Sequence, residues 1–409
     1  MLYVQKFGGS SVADARCIQN VARRIEQTYR KGNQVVVVLS AQGDTTDELI
    51  QKANEVNPNP NKRELDMLVA TGEQQSVALM AMALHRLGLS AVSLTGQQIG
   101  LVTSSAHGSA RIRRIDAERI YSELDRNNIV IVAGFQGVNR YGDITTLGRG
   151  ASDLTAVALA AVLKADFCEK YTDEEGVYTA DPRVVKNARK IDEISYDEML
   201  ELASLGAKVL AARSVELAKK YQVELVVRSS MTDAPGTIVK EETKLESTYI
   251  SGLAMDKDVA SISVMGVKNE PGMAYKLFSL LAKENIVVDI ILQSIGRDAT
   301  KDIVFTVTKR DLSQTVETLS RYKTVLGFES LTYDDRIVKL SVVGAGMASN
   351  PGVASMLFEA LYAGSINIMM ISTSEIKISV LIDEREADAA ANVVHDKFFT
   401  SSAAINARL

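Results

Sequence analysis

The sequence predicts an α/β protein with a mainly parallel sheet, followed by two small α+β units. Three observations carry that expectation. Apolar runs such as Gln34 to Ser40 (QVVVVLS) are nearly continuous, as strands covered on both faces are, and they alternate with segments of helical periodicity. The strands break into glycine- and hydroxyl-rich turns at their carboxyl ends, the βα pattern of an open sheet. The last part of the chain repeats itself. Pro271-Gly272, Ala274, Leu277-Phe278, Leu281, Ile286 and Ile291 return at one constant offset as Pro351-Gly352, Ala354, Leu357-Phe358, Leu361, Ile366 and Ile371. Each copy reads strand, turn, helix, strand, strand, helix, a βαββαβ unit.

With 409 residues the chain exceeds a single core, so two or three domains are expected. Hydrophobic residues make up 46% and charged residues 24%, ordinary for a globular protein. A net charge of −5 argues against nucleic-acid binding, and Arg111, Arg113 and Arg114 form only a small basic cluster. Cys17 and Cys168 sit inside apolar patterns and read as buried free thiols in a reducing compartment. His85, His107 and His395 are far apart and propose no metal site. The start, MLYVQKFGG, lacks a signal-peptide core, and there is no apolar run long enough to span a membrane. A cytoplasmic protein without a membrane partner is expected.

Leu2 to Phe7 reads as a buried strand that breaks into Gly8-Gly9-Ser10-Ser11. A helix follows from about Asp14 to Lys31, with Ile18, Val21, Ala22 and Ile25 on one face. Bare backbone N–H groups in such a turn can approach an anion closely, and Lys6 stands just before it as a point charge. The turn suits either a phosphate cradle or a plain tight connection; the GxxxxGK spacing of a Walker loop is absent. The second strand delivers Ala41-Gln42-Gly43-Asp44-Thr45-Thr46 at its carboxyl end. A long helical segment from about Lys62 to Leu87 is interrupted at Thr71-Gly72-Glu73, where a carboxylate beside a glycine suits either a cap or a cationic ligand. Strands at about Ala91 to Thr95 and Ile129 to Ala133 follow, and the polar segment between them is expected to form a substrate lid.

The stretch from Thr145 to Arg183 holds the densest chemistry. Gly148-Arg149-Gly150 offers a guanidinium that can grip a carboxylate or phosphate with two prongs, although a solvated surface arginine is the alternative. Ser152 is expected to cap an alanine-rich helix, with Asp153 at its positive start. A strand at roughly Asp166 to Tyr171 then ends in Thr172-Asp173-Glu174-Glu175-Gly176. Ligands in open α/β sheets sit beyond such strand ends and at helix N-termini.

These residues resemble, in order and over essentially the whole chain, the aspartate kinases of the amino acid kinase superfamily. The resemblance rests on Lys6 to Val12 (KFGGSSV), Ser40 with Gly43 to Leu49 (GDTTDEL), and Gly148-Arg149-Gly150 with Ser152-Asp153. It extends through Tyr171-Thr172-Asp173, Gly176 to Arg183 (GVYTADPR), Met199 to Lys208 (MLELASLGAK) and Arg213 to Glu216 (RSVE). The repeats resemble the paired ACT domains of those enzymes, the second marked by Val343 to Met347 (VGAGM) and Ile371 to Ile378 (ISTSEIKI). The resemblance implies a three-layer amino-acid-kinase-like catalytic domain over residues 1–240 and ACT domains over 247–330 and 331–409. Because one ACT unit of the family is inserted within the other, the strand near 250–255 is expected to complete the second.

The implied reaction moves the γ-phosphoryl group of ATP, with Mg²⁺ on its phosphates, to the side-chain carboxylate of L-aspartate, giving 4-phospho-L-aspartate. A carboxylate of pKa about 3.9 is already ionised, so no general base is needed. In-line placement and cancellation of charge between two anions are what the reaction requires. By family position Lys6, Arg149 and Asp153 form the catalytic set. Lys6, Gly8, Gly9, Ser10, Thr172, Asp173, Tyr178, Arg183, Lys208 and Val209 line the ATP site, with no metal held by the chain itself. Arg149 clamps the α-carboxylate of aspartate, Glu73 pairs with its ammonium, and Ser40, Thr46 and Ser152 help to place it. Gln42, Ala151, Leu154 and Glu174-Glu175 depart from common family residues and read as tuning, since none touches Lys6, Glu73, Arg149 or Asp153.

Paired ACT units of two chains enclose amino-acid effectors in the family, so at least a homodimer and feedback by lysine, threonine or both are implied. The implied effector contacts are Asn269, Ala274, Asp289 and Gln293 in the first unit, and Asn367, Ile368, Thr373 and Glu375 in the second. Asn269 stands where lysine-sensitive members often carry aspartate, which weakens the attraction for a lysine ammonium. Two rival readings are another amino acid kinase and a non-catalytic amino-acid sensor. A dinucleotide oxidoreductase fails because no GxGxxG follows the first strand.

Overall fold

The computed structural model describes residues 1–148, 150–207, 209–241, 250–294, 300–347, 350 and 352–400. Two expected site residues, Arg149 and Lys208, lie outside them. The chain divides into two compact units, one of Met1–Tyr178, Lys190–Ser204 and Lys208–Glu246, the other of Thr179–Arg189, Leu205–Ala207 and Ser247–Leu409.

The first unit is built on an eight-stranded sheet. Its strands run in the order Glu193–Ser195, Thr237–Lys240, Leu225–Ser229, Phe167–Thr172, Leu2–Phe7, Gln34–Leu39, Ile129–Ala133 and Ala91–Leu94. All adjacent pairs are parallel except Leu225–Ser229 against Thr237–Lys240. Val35 through Leu39 are fully buried, which accounts for their unbroken apolar run: both faces of the strand are covered. One face carries Phe7, Val35, Val37, Leu39, Ile129 and Ile131 against helices Ala15–Arg30 and Thr71–Arg86. The opposite face, with the alternate residues, lies against helix Ala151–Leu163, which is apolar all round and buried almost throughout. Three layers result.

Local chemistry sets most boundaries. Asp14 caps the first helix by accepting from the Cys17 amide at 2.8 Å. Cys17 is half-buried and Cys168 buried, and both are free thiols. The long segment expected over Lys62 to Leu87 is two helices, Lys62–Val69 and Thr71–Arg86, broken at Ala70. Helix Ala151–Leu163 starts two residues earlier than expected: Gly150 is its N-cap in the left-handed region (φ 72°), and Ser152 makes no cap bond. The segment between Leu94 and Ile129, expected to form a lid, contains regular structure. Val102–Thr103 and Ile112–Arg114 join Gln136–Val138 and Ile144–Thr146 in a second four-stranded sheet, and Glu118–Asp125 is helical. Strands of two or three residues carry too little periodicity to be read from sequence.

The second unit holds two four-stranded antiparallel sheets. In one the order is Ile291–Gln293, Thr300–Val307, Ala260–Lys268, Ser330–Asp334. In the other it is Gly252–Asp256, Ile337–Val343, Lys377–Asp383, Met370–Thr373. Gly252–Asp256 thus pairs with the strand that opens the second repeat, although the whole first repeat lies between them. Among the described residues no helix is long and apolar enough to cross a membrane.

Candidate active site

The parallel strands end in a row. Phe7 is in register with Leu39 and with Tyr171, and Leu39 with Ala133. The loops that follow these strands therefore converge on one edge of the sheet, where βα loops place ligands. Gly9 fits only as glycine: a β-carbon would stand 2.7 Å from the Ala41 carbonyl oxygen. Gly8 lies over Lys6, since a β-carbon there would come within 3.7 Å of Nζ. Ser10 opens a short 3₁₀ turn and is exposed.

Beneath these glycines lies a buried charge cluster. Lys6 and Lys170 are cross-strand neighbours on adjacent parallel strands and so point to the same face. Asp153, in the first turn of the helix packed on that face, meets both: Oδ1 is 2.7 Å from Lys6 Nζ and Oδ2 is 2.5 Å from Lys170 Nζ. Burial alone would raise the Asp153 pKa, but Lys170 and Lys6 outweigh it and hold the carboxyl at about 2. Burial lowers the Lys170 pKa, against the pull of Asp153. Lys170 also donates to the Val209 carbonyl. Among the described residues, Lys6 and Lys170 place two positive charges on the one negative charge of Asp153, a balance suited to receiving a phosphate.

Glu73 stands in the first turn of helix Thr71–Arg86, 3% exposed. Its Oε1 accepts from the Ala41 amide at 3.3 Å, whereas Oε2 is buried without a partner among the described residues. Burial pushes its pKa up to about 7. Gly72 permits this close approach, because a β-carbon there would lie 2.8 Å from the Ala41 β-carbon. Ser40 and Thr46 are half-buried on the same loop and the helix it starts. Ser152 packs on Gly134 at the end of strand Ile129–Ala133, where a β-carbon would stand 2.7 Å from its own. Gly9, Glu73 and Ser152 thus gather around the turn that follows Leu39.

The other expected nucleotide residues are less concentrated. Thr172 ends its strand and donates to Asp173 at 2.8 Å. Tyr178 is bridged to Lys190 within the first unit. Arg183 belongs to the second unit, where its guanidinium meets Asp181 with two prongs at 2.9 and 2.8 Å. Among expected effector residues, Asn269, Gln293, Asn367, Thr373 and Glu375 are exposed, and Ala274 and Ile368 half-buried. Asp289 is engaged by Lys339, whose buried ammonium lies 2.5 Å from it and 3.5 Å from Asp256.

Sequence reasoning missed three contributors. Lys170 is one; its only signal was a cation near the carboxyl end of a strand that also carries Glu169. Asp66 is another, 2% exposed, accepting from the Thr146 amide and hydroxyl, the Gly108 amide and His107. Arg213 is the third, quoted within its motif but given no role; it donates to the carbonyls of Leu147 and Ala110. Asp66 and Arg213 hold the strand leading to Gly148 from two sides.

An eight-stranded, mainly parallel sheet with glycine turns over a lysine pair suits an α/β protein that receives a phosphate, and the comparisons give its family. The amino acid kinase family profile matches residues 1–229, and the ACT domain profile matches residues 261–322 and 340–398. Aspartokinase of Geobacillus stearothermophilus is 51% identical over 398 residues, 97% of each chain. Aspartokinase of Mycolicibacterium smegmatis is 50% identical over 403 residues, 97% of this chain and 96% of that one. E. coli aspartokinase III in complex with aspartate and ADP superposes with a TM-score of 0.84 at 25% identity, covering 98% of this chain and all of that one. Its complex with lysine and aspartate gives 0.76, also at 25% identity, covering 97% of this chain and 99% of that one. The chain belongs to the aspartokinase family, and its activity is that of an ATP-dependent kinase. A Mg²⁺ brought in with the nucleotide would be carried by its phosphates and water. Among the described residues no three His, Cys, Asp or Glu side chains cluster to hold an ion, and both Asp153 oxygens face lysines.

Proposed function

We propose that this chain phosphorylates the side-chain carboxylate of L-aspartate with Lys6 as the group that meets the transferring phosphoryl. The observation that carries this reading is the buried Lys6–Asp153–Lys170 cluster under Gly8 and Gly9, with its net positive charge. Catalysis of this transfer is positioning and charge cancellation. The Lys6 ammonium offsets repulsion between the nucleotide and the acceptor carboxylate, and the backbone of Gly8, Gly9 and Ser10 cradles the phosphates. Mg²⁺, when bound with ATP, neutralises further phosphate charge. Thr172, Asp173, Tyr178, Lys208 and Val209 line the nucleotide.

Glu73 receives the substrate ammonium on its unpartnered Oε2. Ser40, Thr46 and Ser152 border the same turn and orient the substrate. Arg149 clamps the α-carboxylate; it follows directly on the segment that Asp66 and Arg213 hold. Arg149→Lys is expected to raise the KM for aspartate about tenfold with kcat little changed, because a point charge cannot replace a bidentate fork. An unaltered KM in steady-state kinetics would remove Arg149 from that role.

The catalytic part spans 1–240, with ACT units at 247–330 and 331–409 and strand Gly252–Asp256 shared into the second. Feedback by lysine, threonine or both acts through them, at Asn269, Ala274, Asp289 and Gln293 and at Asn367, Ile368, Thr373 and Glu375. Asp289 is already paired with Lys339, so a lysine effector meets one carboxylate fewer in the first unit. Edge strands Ile291–Gln293 and Met370–Thr373 expose Ile291, Leu292 and Ile371, with Met369 next in the chain, which supports a homodimer joined through these units. A cytoplasmic setting suits the two unpaired cysteines. Mixing the chain with Mg-ATP, L-aspartate and hydroxylamine should yield aspartyl hydroxamate, and added lysine or threonine should suppress it. A folded, ATP-binding protein that gives no hydroxamate from aspartate would point to the sensor reading.

A further inference from the structure

We infer that Lys170 is a positioning residue for phosphoryl transfer: by sharing the Asp153 carboxylate it keeps Lys6 electropositive toward the phosphate. The inference rests on the reading of Lys6 given above and goes beyond it to a second lysine. The Asp153 carboxylate divides its contacts, Oδ1 to Lys6 at 2.7 Å and Oδ2 to Lys170 at 2.5 Å. A carboxylate paired with Lys6 alone would cancel that lysine's charge at the place where charge is needed. With Lys170 on the other oxygen, one positive charge is left over. It sits in a site where Lys6, Asp153 and Lys170 side chains are 9%, 5% and 14% exposed, so water screens it weakly.

Geometry gives Lys170 a fixed place. Its strand residue is in register with Lys6, and its ammonium is anchored at a second point by the Val209 carbonyl. An ammonium has three protons to donate. Two of them tie the helix that bears Asp153 to the segment at Val209, which fixes the carboxylate's orientation as well as its charge. A lysine kept only for stability is a poor explanation. Two buried cations around one anion repel each other, and a neutral side chain would leave a balanced Lys6–Asp153 pair.

The test compares wild type, Lys170→Met and Lys170→Arg as full-length chains. Hydroxamate kinetics give kcat and both KM values, and thermal unfolding is followed with and without Mg-ATP. Lys170→Met should lower kcat at least tenfold while the KM for aspartate stays within twofold. Its melting temperature without ligand should be unchanged or higher, and the stabilisation by Mg-ATP should shrink. Lys170→Arg, which keeps the charge, should recover most of kcat. An unchanged kcat in Lys170→Met overturns the inference. So does a Lys170→Met chain that fails to fold, because the charge is held here to serve the reaction rather than the fold. Equal losses of kcat in both variants also overturn it. A wild type without hydroxamate activity would instead fail the underlying reading of Lys6, which separates the two failures.

Discussion

Glu73→Gln is expected to raise the KM for aspartate about 100-fold, leave the KM for ATP near wild type, and raise the melting temperature at pH 8. The first effect follows from losing a charge-assisted bond to the substrate ammonium, worth about 2–3 kcal/mol at about 1.4 kcal/mol per tenfold. The last follows from burial, which lifts the carboxyl from 4.5 to about 7. The folded chain holds this proton more tightly than the unfolded chain does. Stability from the group is therefore present below pH 4.5 and is lost as pH rises to about 7. At pH 8 an empty site carries an ionised, unpaired carboxylate at a cost of up to about 3 kcal/mol. Glutamine removes that cost, so the variant should gain a few degrees while losing its substrate. The wild-type KM for aspartate should also fall about tenfold between pH 6 and pH 8, as Glu73 ionises to meet the ammonium. Kinetics across that range decide the matter: a slope that survives in Glu73→Gln would assign the titration to another group and end this account.

The parts of the site that were legible in the sequence share one property: their chemistry is local. Lys6, Gly8 and Gly9 stand together at a strand end, Glu73 beside a glycine in the first turn of a helix, and Asp153 at a helix start. Lys170 was hidden because its meaning depends on strand register. It acquires a partner only when Phe167–Thr172 lies beside Leu2–Phe7 and the intervening helix folds back over both. Asp66 was hidden for the same reason, since its partners lie 41, 42 and 80 residues away. Ser152 misled in the opposite direction. Serine is a good cap in general, but Gly150 takes the left-handed conformation that opens this helix, and Ser152 is drawn into the helix against Gly134. The repeat of the second unit was plain from its apolar pattern. Which strand closes each sheet is a matter of pairing across the whole first repeat, settled by the ladder between Gly252–Asp256 and Ile337–Val343.

Asp153→Asn should be the most damaging single change to stability. Asparagine fits the space of aspartate but leaves Lys6 and Lys170 facing one another in a buried site with no counter-charge. Breaking a buried ion pair from one side costs about 3–5 kcal/mol. The loss should grow at low pH. A lysine whose pKa is depressed in the folded state contributes stability that is present at high pH and lost as pH falls, and burial already lowers Lys170 in the wild type. Asp153→Asn is therefore expected to unfold at a lower temperature at pH 6 than at pH 9. Adding Lys170→Met removes one of the two cations and should return much of what was lost, with a coupling of about 1–3 kcal/mol between the two sites. Urea unfolding of wild type, both single variants and the double variant measures that coupling. Strict additivity would mean that the two lysines do not share the Asp153 charge. A positive coupling ties the stability of the site to the charge balance on which phosphoryl transfer depends.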